Sequence, residues 1–499
     1  MSAHAAVLCL ALASSFALSG CVMVPLPPLG AQRGAREIKS LEPGASTRQD
    51  VRRVLGDPDL ALTARYDIFE LSEEDLNLLV IPVLLPLGGF GPVGEARHRV
   101  LAAYGPDEIL QSLHWEALVD GRSVAADMAP AKATNAVRAE IPRQLLGWQP
   151  PTNWGGSVAV SPAGRSFAIS YAAGEAPART RSLTQLRDTQ SAELLQEIEY
   201  GPVGCPLLVP PADQFWGEPD PTVFLSDGLH LATIARDGVV CVWSPETQRG
   251  VLTLDAGADE VRRLASAQAA PVLASADANG VVKLWDGVSG REMASVSPCS
   301  LEPGCDHDGR SLVLALSDDG RLLVTSQYGG RGLWGTDFRG AVRFWDATTG
   351  SELASMALPR GGLALVGQKL ALSSDRGRLA IHLGDHVEIL RLGEAEPGRT
   401  AQGEDRRAAM AVELERVLLL PLEDQDVYRE RSLGFSRDAT RLVAGNGSML
   451  GWETASWRQI WRMVPSVSDW AVVSEFGQGF TLATDGRRIV TVGGVWAVP

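Results

Sequence analysis

Basic side chains are in the minority in this chain. Its 499 residues carry 45 Lys and Arg against 60 Asp and Glu, a net charge of −15. The electrostatic footprint of a nonspecific nucleic-acid binder or a binder of anionic lipid is therefore missing, and no block of like charge marks a binding tail. Common catalytic signatures are missing too: the sequence holds no HExxH, no GxSxG, no phosphate loop and no spaced triad. His382-Leu383-Gly384-Asp385-His386 comes nearest to a metal motif. However, Gly384-Asp385 reads as a two-residue hairpin turn, and alternation then sends the two imidazoles to opposite faces. Asp306-His307-Asp308-Gly309 lacks the remaining ligands of a calcium loop. No cofactor or metal is expected, and no enzymatic activity.

Cysteine is scarce, six residues in all. Cys9 lies in an apolar leader, and Cys21 follows it. Of the other four, Cys299 and Cys305 close a short loop through Pro303-Gly304, a spacing that allows a disulfide in an oxidising compartment. Cys241 falls inside a strand and reads as a small core hydrophobe.

Apolar residues (45%), glycine and proline are abundant, which fits a turn-rich β protein. One phrase recurs over the last two-thirds of the chain: an Asp-Gly or Asn-Gly turn, a strand, a second turn, and a strand closing on a landmark residue. Ser226-Asp227-Gly228 leads to Trp243, Asn279-Gly280 to Trp285-Asp286, Asp319-Gly320 to Trp345-Asp346, and Asp485-Gly486 to Trp496. Short strands repeating at a period of this kind bury their faces only against neighbouring repeats, which is the signature of a β-propeller. Seven candidate blades follow. The first runs from Ser157 to Tyr200, three centre on Trp243, Trp285 and Trp345, the fifth runs from Leu370 to Leu390, the sixth holds Phe435 and Trp452, and the seventh ends at Trp496. Trp285-Asp286 with Val288-Ser289-Gly290, and Trp345-Asp346 with Thr348-Thr349-Gly350, resemble WD repeats. Quinoprotein-like propellers share the Asp-x-x-(Thr/Ser)-Gly turn but add a docking Trp that Met293–Val296 and Leu353–Met356 do not supply. The last blade lacks an outer strand, and segment 136–146 is the expected donor. Segment 402–416 reads as an exposed helical or flexible insertion.

At the other end, Ala5 to Leu18 is an apolar stretch of signal-peptide length, followed by Leu18-Ser19-Gly20-Cys21. This resembles a bacterial lipobox, which implies cleavage before Cys21 and lipidation of its thiol; Val22 in the next position resembles lipoproteins sent to the outer membrane. Further on, Ser46 to Gln49 has capping-box spacing, and Val51, Val54 and Leu55 follow at helical intervals. Strands at Tyr66–Leu71, Arg97–Tyr104 and Ile109–Trp115 complete a helix-plus-meander unit. The residues Leu41-Glu42-Pro43-Gly44, Val54-Leu55-Gly56-Asp57-Pro58 and Tyr104-Gly105-Pro106-Asp107 resemble the SmpA/OmlA (BamE-like) family of small periplasmic lipoproteins, which implies helices on a three-stranded sheet. An apolar insertion at 76–93 departs from that family. Pro82, Pro86 and Pro92 break any continuous helix there, so it reads first as a covered loop, next as a surface touching membrane or partner, and last as a span.

The expected fold class is mainly β: a seven-bladed β-propeller preceded by a small α+β (BamE-like) domain. The expected divisions are a lipoprotein signal peptide over 1–20, a tether over 21–37, the BamE-like domain over 38–116, a linker with the closing strand over 117–155 and the WD-repeat-like propeller over 156–499. The expected role is a noncatalytic protein-interaction scaffold of the cell envelope. It would be held by lipid at Cys21 in the outer membrane, facing the periplasm, with envelope proteins as partners and no nucleic acid. The alternative is a propeller enzyme or carbohydrate-binding protein using the central channel.

Overall fold

The computed structural model describes residues 22–23, 40–62, 65–72, 80–81, 97–119, 122–128, 143–147, 156–173, 181–199, 222–235, 238–257, 261–298, 312–329, 339–358, 369–384, 386–394, 410–420, 432–445, 449–463, 480–483, 486–491 and 494–498. The chain divides into two units, residues 1–134 and 135–499.

In the first unit, one helix, Arg48–Leu55, starts where Thr47 and Asp50 cap each other. The Thr47 Oγ1 accepts the Asp50 N–H at 3.2 Å, and the Asp50 carboxylate accepts the Thr47 N–H at 2.9 Å. The capping box thus stands one residue later than the spacing from Ser46 to Gln49 suggests. Gly56, at φ 93°, ends the helix by donating its N–H to the Arg52 carbonyl. Val51 and Leu55 bury the helix's apolar stripe against Phe69, Val100, Leu110 and Leu113. These residues belong to a five-stranded antiparallel sheet with the strand order Leu60–Leu62, Tyr66–Ser72, Arg97–Tyr104, Leu110–Val119, Arg122–Met128. A separate two-residue pairing joins Val22–Met23 to Val80–Ile81.

The second unit is built of four-stranded antiparallel meanders, each running from an inner to an outer strand. Counting the five-stranded sheet as the first, the second spans Gly156–Glu199, the third Thr222–Asp255, the fourth Val261–Val296, the fifth Val313–Leu358, the sixth Lys369–Leu419 and the seventh Ser432–Met463. The eighth takes three strands from Phe480–Ala497 and its outermost, Arg143–Gly147, from far upstream. The inner strands of the second to eighth sheets touch their neighbours in chain order, and Phe480–Leu482 returns to Gly156–Val160. The core is accordingly a circle of clusters between sheets. Phe167 and Ile169 of the second sheet meet Val490 and Val495 of the eighth, which closes it. This is a β-propeller fold.

A landmark residue on the third strand of each sheet sets the packing. Trp243, Trp285, Trp345, Trp452 and Trp496 each pack on the sheet before their own. Beside each of them the pairing to the fourth strand slips by one residue. Such a bulge re-aims the side chain across the gap between sheets. The Trp285 and Trp345 indoles are fixed further by donating at 2.9 Å to the Ser275 and Thr325 hydroxyls.

These observations correct the expected fold class of seven blades behind an α+β domain. The described residues hold eight blade-sized antiparallel sheets and almost no helix, a single run of eight residues. The sheet outside the seven expected blades is the first one, whose three central strands are those of the expected meander. It has five strands rather than the three implied by the BamE-like resemblance, because Leu60–Leu62 and Arg122–Met128 flank the meander. Its third strand shows the same slip, between Ala103 and Tyr104, so Tyr104 occupies the place that tryptophan takes elsewhere. Segment 402–416 is also corrected in part: Met410–Leu419 is the outer strand of the sixth sheet.

One glycine carries a steric prediction. Gly451 pairs directly with Trp461, whose indole is fully buried and occupies the space a Cβ would need. Gly451→Ala is expected to lower stability by about 3 kcal/mol, read as a drop in denaturant midpoint at unchanged slope.

Candidate functional site

The turns between the first and second strands of the propeller's sheets gather at one rim, and a Ser-x-Asp device builds several of them. Ser317 Oγ accepts the Leu322 N–H at 2.9 Å while donating to Asp319 at 2.7 Å. Ser373 does the same with the Arg378 N–H and Asp375, and Ser436 with the Arg441 N–H and Asp438. Short polar side chains that bond local backbone in this way are the usual turn formers. The Ser436 and Thr440 hydroxyls hold the Asp438 carboxyl below its ordinary range, against a smaller opposing effect of burial.

The turns are then laced to one another. Asp318 of the fifth sheet accepts the Ala269 N–H of the fourth through its carbonyl at 2.8 Å. Arg376 of the sixth pairs with Asp319 of the fifth at 3.1 Å. The Ser374 hydroxyl donates to the Arg437 carbonyl of the seventh sheet at 2.6 Å. Arg437 itself reaches past the eighth sheet and donates from Nη1 to the Pro162 carbonyl of the second at 2.6 Å. Its charge also acts on Asp318, whose carboxyl is pushed upward by burial, drawn back by Arg437 and raised again by Asp319. A side chain that senses the second and fifth sheets from the seventh spans the mouth of the ring. This rim is the candidate site: the Arg376 and Arg437 guanidiniums, the reluctant Asp318 carboxyl and fixed backbone carbonyls. Such an arrangement can bind and orient a polar partner.

The residues singled out in the sequence lie elsewhere. His382 is buried and faces the seventh sheet, with Nε2 3.1 Å from the Gly445 carbonyl and Nδ1 accepting the Gly384 N–H at 3.1 Å. That pattern fixes the neutral tautomer with the proton on Nε2. His386 shares the opposite face with Glu388, Leu390 and Leu392, its Nε2 3.6 Å from the Glu388 carboxylate. The two imidazoles therefore do not converge. Among the described residues, no group of three or more His, Cys, Asp and Glu is placed to hold a metal ion. Cys21, Cys299 and Cys305 lie outside the described residues, as does most of the apolar insertion at 76–93. No helix among the described residues is long and apolar enough to cross a membrane. Cys241 is not a plain core hydrophobe: it is disulfide-bonded.

Two further features escaped the sequence reading. Glu415 sits at the slip in the sixth sheet and accepts from Arg378 at 3.1 Å, from Arg391 at 3.4 Å and from the Trp457 indole at 2.9 Å. Arg378 also stacks 5.4 Å from the Trp457 ring, tying the sixth sheet to the seventh. Burial alone would raise the Glu415 carboxyl, but these donors hold it below its ordinary value of 4.5. A depressed folded value means that the stabilisation is present above pH 4.5 and is lost as acid is added through the lower folded value. Glu415→Gln is expected to cost about 2 kcal/mol at pH 7 and to flatten the acid limb of a stability–pH curve. Second, among the described residues the exposed large hydrophobics on strands are Leu145, Leu194, Leu195 and Val251, at 39–53% exposure. They belong to the outermost strands of the eighth, second and third sheets, which are consecutive around the ring.

Compared with known proteins, the chain matches no family model and no curated relative. Among solved structures it is similar to the β-propeller domain of Cps50 (Swd1) from Myceliophteria thermophila. The identity is 11% and the TM-score 0.47, over 72% of this chain and 100% of that one.

Proposed function

We propose that the protein is a noncatalytic scaffold of the bacterial cell envelope, anchored by lipid at Cys21 and presenting its propeller to protein partners. The observation that carries this reading is the rim. Its turns are locked to one another by hydrogen bonds, and its mouth is spanned by Arg437, which makes a rigid display surface. The consecutive apolar residues Leu145, Leu194, Leu195 and Val251 add contact area of the kind protein interfaces use. For the anchor, the support is the LSGC sequence ending at Cys21, together with the pairing of Val22–Met23 to Val80–Ile81. That pairing brings the residues after the lipidated position beside the apolar insertion. Several acyl chains on one cysteine would hold stably where a single chain would not.

The test is crosslinking in intact cells, comparing the parent chain with Cys21→Ala and with the double change Leu194→Asp, Leu195→Asp. Envelope proteins should be captured by the parent and lost from Cys21→Ala, which should also fail to incorporate labelled fatty acid. The double change should reduce capture without moving the melting temperature. Turnover of a glycan or ester by the purified protein would reject the scaffold reading.

A further inference from the structure

The seam between the second and third sheets is lined with hydroxyls as well as with apolar side chains. Ala168 of the second sheet packs there with Leu231, Ala235 and Trp243 of the third. Alternation along the strands puts five hydroxyls on the same two faces. Ser170 stands two residues from Ala168, with Ser157 and Thr184 directly opposite it on the neighbouring strands. Thr233 stands between Leu231 and Ala235, with Thr222 directly opposite. Three of the five are bonded to one another: Ser170 Oγ lies 3.0 Å from Thr184 Oγ1 and, across the seam, 2.7 Å from Thr222 Oγ1.

Three other polar atoms of this seam are buried without a hydrogen-bond partner among the described residues: Ser157 Oγ, Thr233 Oγ1 and Trp243 Nε1. Thr233 is 1% exposed and Trp243 is fully buried. Register makes the last two comparable with their neighbours around the ring. Trp243 pairs with Leu231, two residues before Thr233; Trp285 pairs with Leu273, two before Ser275, and Trp345 with Leu323, two before Thr325. In the fourth and fifth sheets that offset lets the indole donate straight to the hydroxyl, at 2.9 Å in both. In the third sheet the same two groups are buried but not joined. Each buried polar group left without a partner costs about 1–3 kcal/mol, so three on one seam call for a small ligand that can both donate and accept. None of the buried charged side chains among the described residues belongs to the second or third sheet, so an ion would meet no counter-charge there. Water has the required chemistry, and a buried molecule of it typically makes about three bonds to groups of this kind.

We propose that the seam between the second and third sheets binds ordered water. One molecule accepts the Trp243 indole N–H and donates to Thr233 Oγ1, and Ser157 Oγ is met in the same way. The landmark tryptophan of the third sheet is then joined to its second strand through solvent, where those of the fourth and fifth are joined directly.

The test is a crystal structure of the full chain at a resolution that orders solvent. A water peak within hydrogen-bond distance of both Trp243 Nε1 and Thr233 Oγ1 is expected. Thr233→Val replaces the hydroxyl with a methyl group of similar size, and oxygen-17 relaxation dispersion should then count fewer long-lived waters than in the parent chain. A direct bond between Trp243 and Thr233, a dry contact between them, or an unchanged count in Thr233→Val would each overturn the proposal.

Discussion

Asp67→Ala is expected to destabilise the first sheet and its helix by about 3–5 kcal/mol, the usual cost of removing one partner from a buried ion cluster. The Asp67 side chain has no solvent exposure, and its carboxylate accepts from Arg48 at 2.9 and 2.5 Å and from Arg52 at 3.3 Å. Both arginines come from the helix, one turn apart, so this single carboxylate pins the helix to the second strand of the sheet. Arg48 also lies 5.2 Å from the Tyr104 ring, bringing the third strand into the same contact. Burial pushes the Asp67 carboxyl upward, but the hydrogen bonds and charges of Arg48 and Arg52 outweigh it and leave it below its ordinary 3.8. The Tyr104 hydroxyl is held well above its usual range by burial and by the nearby carboxylate. With Asp67 depressed, its contribution is complete above pH 3.8 and fades as acid is added below that value. The variant should lose helix protection in hydrogen exchange at neutral pH and show a shallower acid transition than the parent. Unchanged protection at Val51 and Leu55 would mean that the apolar stripe alone holds the helix.

The second large effect concerns closure of the ring. Arg143–Gly147 pairs with Gly494–Ala497, placing Leu146 opposite Val495 and Gln144 opposite Trp496. Leu146 also joins the cluster between the eighth and second sheets. A chain beginning at residue 135 keeps this strand, and one beginning at residue 150 lacks it. The shorter chain leaves the edge bearing Trp496 unpaired, so it is expected to melt about 10 °C lower and to associate at concentrations where the longer one is monomeric. Adding a synthetic peptide of residues 140–149 should restore part of the loss. Equal melting of the two chains would show that the strand contributes nothing to closure.

How much of this was legible follows from which signals are local. Trp243, Trp285, Trp345 and Trp496 could be read as landmarks because each closes a strand that follows a glycine turn, and such turns are set by local chemistry. Tyr104 stands at the equivalent slip in the first sheet, but the residues after it, Gly105-Pro106-Asp107, match a different family's phrase, and the fifth strand lies beyond the segment that phrase covers. Sequence separation hid the rest. Arg437 meets Pro162, and Glu415 meets Trp457; neither pair stands at a spacing that any local rule predicts, because the ring brings them together. Met410, Val412 and Leu414 do alternate as a strand should, yet the charges between them also suit a solvated segment, and only pairing with His386–Glu394 decides the matter. That Cys241 is disulfide-bonded was equally hidden, because its place inside a strand reads the same for a packed thiol and for a bonded one.

The pairing of Arg143–Gly147 with Gly494–Ala497 also sets a timetable. During synthesis the ribosome releases the first of these strands hundreds of residues before the second, so the early strand has no partner while every intervening sheet is being made. Contacts of such long sequence separation form slowly, and the ring can shut only after Gly494–Ala497 has been made. Until then the nascent chain is an open row of sheets with two unpaired ends.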